Sequence, residues 1–164
     1  MLFRSTNNPY DLERSPGGSS GGEAAIHAIH GAPFGLGTDG FTSIRVPAHF
    51  CGSVGLRPTS GIVSEAGTWP STKQTGMHDI STTGPMGRYA EDLDLVLEVI
   101  SGVDVDDPFV HLLDSKRTPL DSGDLTVGVL PSLAGCTPGT QAAISSAAET
   151  LEERGARVVE LDAW

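Results

Sequence analysis

The chain is 164 residues long, the size of one ordinary domain, and a domain of that length buries roughly 70% of the surface its unfolded chain exposes. Twenty-one acidic against ten basic residues leave a formal net charge of −11 with no Lys/Arg cluster. Nothing in it can neutralise a phosphate backbone or an anionic bilayer, so nucleic acid and lipid are excluded as direct partners. Charged residues are 19%, glycines number 21 and prolines 11, with 15 of the glycines at or before Gly87. The chain reads as folded, with a loop-rich first half.

In chain order, residues 1–22 alternate turn formers with polar residues at neither period and read as loop. No apolar run of signal-peptide length opens the chain, and nowhere do 18 apolar residues follow one another. A short apolar helix begins at Glu23 and stops at Gly31, with Pro33 beyond. Residues 32–38 read as extended, residues 39–47 as a second loop, and residues 48–87 as too rich in Gly, Pro, Ser and Thr for long elements, with turns at 57–61 and 84–87. Residues 89–101 place Leu93, Val96, Leu97 and Ile100 at helical spacing behind a first acidic turn and end at Gly102, which predicts an amphipathic helix. Residues 103–123 form a connector. The last third reads as strand 125–130, helix 138–154 with Thr137 as N-cap and Gly155 just past its end, and strand 157–161, a βαβ unit with parallel strands. Cys51 and Cys136 stand far apart without a C-x-x-C pair, so they are expected as free thiols in a reducing cytoplasm.

The densest chemical signal is residues 15–23, SPGGSSGGE, at a helix entrance. Glycines let backbone N–H groups converge on an anion there, but no lysine follows, so the phosphate-binding P-loop pattern is absent. Gly17-x-Ser19-x-Gly21 has the form of a nucleophile elbow, yet no strand precedes it as that motif requires. Ser43 lies in a second unusual loop, residues 37–47, and one helix and one extended segment between the two loops permit a serine–serine pair.

On these residues the chain resembles the amidase signature family, amide hydrolases with a Ser, cis-Ser, Lys triad. Residues 16–23 (PGGSSGGE) look like its cis-serine loop. Gly37, Thr38, Asp39, Ser43, Ile44, Arg45 and Pro47 match its nucleophile loop. Cys51-Gly52, residues 55–59 (GLRPT), and Gly84-Pro85-Met86 with Arg88 follow in the family's order. The resemblance implies a mixed α/β fold, with a mostly parallel sheet flanked by helices and a C-terminal βαβ unit. Residues 1–102 would hold the core with both serine loops, and 124–164 the βαβ segment of the same amidase domain. It implies that Ser43 is the acylated nucleophile and Ser19 the cis-serine relaying its proton. The backbone amides of Gly40, Phe41, Thr42 and Ser43 would face the oxyanion, and Ser20, Asp39 and Arg45 would hold the site. No metal or organic cofactor is implied, and the substrate is a small-molecule amide.

Two positions depart from the family. Its lysine base lies far upstream of the cis-serine, whereas 18 residues precede Ser19 here, and the lysines present, Lys73 and Lys116, match nothing catalytic. Two glycines before the nucleophile are replaced by Phe41 and Thr42, which resist the positive φ such a loop uses. The chain is therefore expected to be an amidase fragment needing an upstream segment or a homo-oligomeric partner. The alternatives are an inactive remnant and a glutamine-hydrolysing amidotransferase component. Residues 88–93 (RYAEDL) lean toward the fatty-acid-amide branch.

The remaining candidates read as bland. His27 and His30 lack a third ligand for zinc, and residues 77–79 (MHD) are loop decoration rather than part of a triad. Asp104, Asp106 and Asp107 form a solvated acidic turn, since calcium-loop spacing is missing. Trp69 and Phe41 are read as core aromatics.

Overall fold

The structure is a computed structural model that describes residues 6–69, 80–110, 121–130 and 136–161. It divides into two compact units, Met1–Leu113 and Asp114–Trp164. The first unit runs α1 (Gly21–Ala28), β1 (Phe34–Asp39), α2 (Arg45–Cys51), β2 (Val54–Gly55), β3 (Thr82–Gly87) and α3 (Ala90–Ile100). Its strands form one antiparallel sheet in the order β1-β3-β2, with Phe34 opposite Gly87 and Asp39 opposite Thr82. A core of Ala24, Ile44, Ala48, Cys51 and Met86 joins α1, α2 and β3, and burial of such side chains is the main stabilising contribution. Leu93 and Val96 are the buried positions of α3, two of the four residues that the helical spacing marks as apolar.

Two local expectations are corrected here. Residues 84–87 are not a turn but the second half of β3, the central strand, all six of whose residues are buried. Gly84 is there because backbone passes close by: a Cβ at that position would come within 2.1 Å of the Leu56 carbonyl oxygen. Pro85 is tolerated because its carbonyl accepts from the Leu56 amide. Its missing N–H faces the Leu56 carbonyl on the same side, so the reciprocal ladder bond is absent there and the regular pairing of β2 stops at Gly55. The second correction is α2, where the sequence shows only loop. Pro47 sits in its first turn, where a proline costs no helical hydrogen bond, and Gly52 ends it at φ 62°.

The second unit contains a 3₁₀ turn (Ser122–Asp124), β4 (Thr126–Val129), α4 (Pro138–Glu153) and β5 (Arg157–Glu160). β4 and β5 pair in parallel, Thr126 opposite Arg157. Thr137 caps α4 by accepting from the Thr140 amide at 3.2 Å, and Gly155 follows it at φ 95°. The βαβ reading holds to within a residue or two at each boundary. The mixed α/β class also holds, with a refinement in strand sense: both pairings of the first unit are antiparallel, and the parallel pairing among the described residues is β4–β5.

Candidate active site

The Ser19 loop is shaped by glycine. The peptide bond between Gly18 and Ser19 is cis, and Gly17 stands at φ 81°. A Cβ on Gly17 would lie 3.0 Å from Pro47 Cα, so the absence of a side chain lets this loop lie against the start of α2. The Ser20 amide donates to the Ser43 carbonyl at 3.1 Å, which ties the two serine loops together. Ser20 Oγ accepts from the Thr38 amide at 3.3 Å. Ser20 and Glu23 occupy the N-cap and third helical positions of a capping box, yet neither caps α1. Both are diverted, Ser20 to β1 and Glu23 to His27, whose Nε2 lies 3.3 Å from Glu23 Oε1.

The Ser43 loop is shaped by a carboxylate. Asp39 is fully buried. Its Oδ1 accepts from the Thr42 amide at 2.7 Å and Arg45 Nη2 at 3.1 Å, and its Oδ2 from the Ile44 and Arg45 amides at 3.1 and 3.3 Å and Arg45 Nε at 3.0 Å. Burial alone would raise the pKa of Asp39, but the Arg45 guanidinium and the three amides outweigh it and hold the carboxyl well below the usual range. Arg57 completes the frame, its Nε donating to the Asp39 carbonyl at 3.2 Å and its Nη2 to the Ile80 carbonyl at 2.7 Å. Thr42 adopts φ 83° within this frame. Its amide is turned inward to Asp39, so of the four amides expected at an oxyanion this one is already engaged.

Between α1, β1 and β3 lies an open cleft of about 510 Å³, whose lining includes Ser19, Ser20, Glu23, Thr38, Thr68 and Thr83. Ser19 is exposed and Ser20 half-buried in it, whereas half-buried Ser43 is not in its lining and is joined to it through its carbonyl. Behind Thr83 is Glu65, a carboxyl that no local sequence pattern marks. Its Oε1 accepts from the Thr83 amide, and its backbone carbonyl accepts from Thr68 Oγ1 at 2.8 Å. Burial pushes the Glu65 carboxyl up, and the nearby Asp107 carboxylate adds to this against the opposing Thr83 contacts.

The other expected residues fall as follows. His27 is buried in α1, while His30 lies past its end at φ 62° and is exposed, so the two share no helical face. Phe41 and Trp69 are 73% and 93% exposed, correcting their assignment to the core; one lies on the Ser43 loop, the other beside cleft-lining Thr68. The acidic turn is not fully solvated, since Asp107 is buried and accepts from the Glu65 amide while Asp104 accepts from Ser64 Oγ. Residues 77–79, Lys73 and Lys116 lie outside the described residues. Cys51 is a buried free thiol that burial pushes up, and Cys136 is free and half-buried. Among the described residues no three His, Cys, Asp or Glu are grouped to hold a metal, and no helix is long and apolar enough to cross a membrane.

A family model described as Amidase matches residues 1–163. The chain belongs to the amidase signature family. It is 39% identical over 98% of its length to the A subunit of the glutamyl-tRNA(Gln) amidotransferase from Synechococcus sp. (strain JA-3-3Ab), of which it covers 32%. Among solved structures it resembles the native peptide amidase from Stenotrophomonas maltophilia (TM-score 0.80, 34% identity, 96% of this chain and 33% of that one). It also resembles the A subunit of the glutamyl-tRNA(Gln) amidotransferase from Thermotoga maritima (TM-score 0.83, 31% identity, 97% and 35%). A fatty acid amide hydrolase matches as well, with TM-score 0.78 and 32% identity, covering 96% of this chain and 28% of that one. The chain thus spans about a third of the length of the curated relatives it matches.

Proposed function

We propose that the chain carries the serine pair of an amide hydrolase, with Ser43 as the acylated nucleophile and Ser19 relaying its proton. The observation that carries this reading is the joining of the two serine loops by the Ser20–Ser43 backbone bond, with Ser19 and Ser20 open to one cleft. A serine hydroxyl is a weak nucleophile at neutral pH and needs a neighbouring base. In this reading the base is a lysine supplied from outside these 164 residues, by an upstream segment or a partner chain, because neither Lys73 nor Lys116 lies in a matching motif. Asp39 and Arg45 position the Ser43 loop, and the amides of Gly40, Phe41 and Ser43 face the developing oxyanion. The substrate is a small-molecule amide and the setting cytoplasmic.

Turnover of a simple amide by the 164-residue chain is therefore expected to be negligible, and the same sequence extended upstream by a lysine-bearing segment should regain it. Robust turnover by the 164-residue chain that is lost in Ser43→Ala would overturn the placement of the base. No turnover in the extended form would leave the inactive remnant. A second reading, a glutamine-hydrolysing amidotransferase component working with protein partners, is supported by the amidotransferase A subunits of 39 to 42% identity. Ammonia release from glutamine by the extended form would favour it.

A further inference from the structure

Residues 62–68 belong to no helix or sheet, and through Thr68 they reach the lining of the cleft beside Ser19. They are held by a seam of contacts to residues 101–107. The Gly102 amide donates to the Ile62 carbonyl at 3.2 Å, and Val63 makes an isolated bridge with Ser101. Ser64 Oγ donates to Asp104 Oδ2 at 2.7 Å, and the Glu65 amide to Asp107 Oδ2 at 2.8 Å. Glu65 joins this seam to the cleft. Its carbonyl accepts from the Thr68 amide at 3.2 Å and from Thr68 Oγ1 at 2.8 Å, and its carboxyl accepts from the amide and hydroxyl of Thr83, which lines the same cleft.

Glu65 and Asp107 are both buried, at 8% and 4% exposure. Asp107 accepts from two amides, those of Glu65 and of Phe109 at 3.1 Å, and its negative charge acts on Glu65. From β3, Glu65 meets the two donors of Thr83 and no charge. Asp104 is engaged with Ser64, and Arg57 with the Asp39 and Ile80 carbonyls. Among the described residues no cation lies within ion-pair distance of Glu65. Burial and the Asp107 charge outweigh the Thr83 bonds, so the Glu65 carboxyl keeps its proton above the usual glutamate range. The sign follows by linkage: the hold on this segment is present at low pH and is lost as pH rises through the raised value. Because the seam lies outside the strand ladders, it can open locally while the sheet stays closed.

We propose that Glu65 and Asp107 form a proton-operated latch on the cleft wall. With its proton, Glu65 keeps residues 62–69 on the 101–107 seam and Thr68 in the cleft lining. Without it, two buried carboxylates meet at one junction, and the segment is released to solvent and the cleft widens. The latch is independent of the roles assigned to Ser19 and Ser43. Trp69 follows Thr68 directly, and Trp164→Phe leaves it the sole tryptophan of the chain. The test is the fluorescence anisotropy of Trp69 in the full 164-residue Trp164→Phe chain from pH 4 to 9, with far-UV circular dichroism as the measure of the fold.

The anisotropy should fall across one single-proton transition with its midpoint above about 4.3, the ordinary glutamate value, while the ellipticity stays constant. Glu65→Gln keeps an acceptor for the Thr83 amide but cannot ionise, and should hold the low-pH anisotropy throughout. Asp107→Asn keeps an acceptor for the Glu65 amide but loses the charge, and should move the midpoint down toward the ordinary value. A flat profile in the parent chain, or a transition that survives in Glu65→Gln, would overturn the latch. So would a midpoint unmoved by Asp107→Asn, or ellipticity lost together with anisotropy, since the whole fold rather than the seam would then be opening.

Discussion

The two serine loops are shaped by opposite means. Residues 16–22 contain four glycines and no charge, and what fixes them is backbone: the cis bond before Ser19, Gly17 at φ 81° against Pro47, and the Ser20 amide on the Ser43 carbonyl. Residues 39–45 have one glycine and are fixed by a side chain, the Asp39 carboxylate that collects three amides and the Arg45 guanidinium. The difference shows in Thr42. A β-branched residue resists positive φ, yet Thr42 holds φ 83° because its amide is anchored on Asp39. A buried anion can impose a turn that elsewhere is left to glycine.

That contrast can be broken most forcefully at the anion. Asp39→Ala leaves three amides and a guanidinium without their acceptor, and a loss of about 3 to 5 kcal/mol in denaturant unfolding is expected. A loss under about 1 kcal/mol would mean that the loop is held by something else. In the glycine loop, Gly17→Ala must take an unfavourable φ and crowd Pro47 Cα, at a cost of about 2 kcal/mol. Thr42→Gly should act in the opposite sense, gaining up to about 1 kcal/mol as the strain is relieved. Replacing both Phe41 and Thr42 by glycine in an upstream-extended chain should raise the rate of Ser43 phosphonylation.

The smallest effect lies in pH dependence, where the two buried carboxyls act with opposite sign. Asp39 is depressed in the fold, so its contribution is present above its unfolded value of about 3.9 and lost as pH falls below it. Glu65 is raised, so its contribution is present below its unfolded value of about 4.3 and lost as pH rises through the folded one. Unfolding of Glu65→Gln, followed from pH 4 to 8, should lack that decline; an unchanged profile would remove Glu65 as its source.

Much of this was legible in the sequence. α3 and the βαβ unit announce themselves through apolar period, caps and a terminal glycine, and the serine loops through their motif. The cis bond that the family motif implies before Ser19 is present in the structure. β3 was hidden because Gly84 and Pro85 signal a turn locally, while the close approach of the Leu56 backbone is what selects Gly84 there. α2 was hidden behind Pro47, which reads as a breaker unless the helix start is known. Exposure of Phe41 and Trp69 depends on what surrounds them, which composition does not carry. The Glu65–Thr83 contact spans 18 residues and follows no period, so only the fold brings it together.

The pairing of Ser19 with Ser43 is tested most directly by treating the chain, extended upstream by a lysine-bearing segment, with a fluorophosphonate and locating the adduct by peptide mass mapping. A single adduct on Ser43 is expected, slowed by about a hundredfold in Ser19→Ala, the scale of a lost proton relay. An adduct on another serine, or a Ser43 adduct whose rate is indifferent to Ser19, would contradict it.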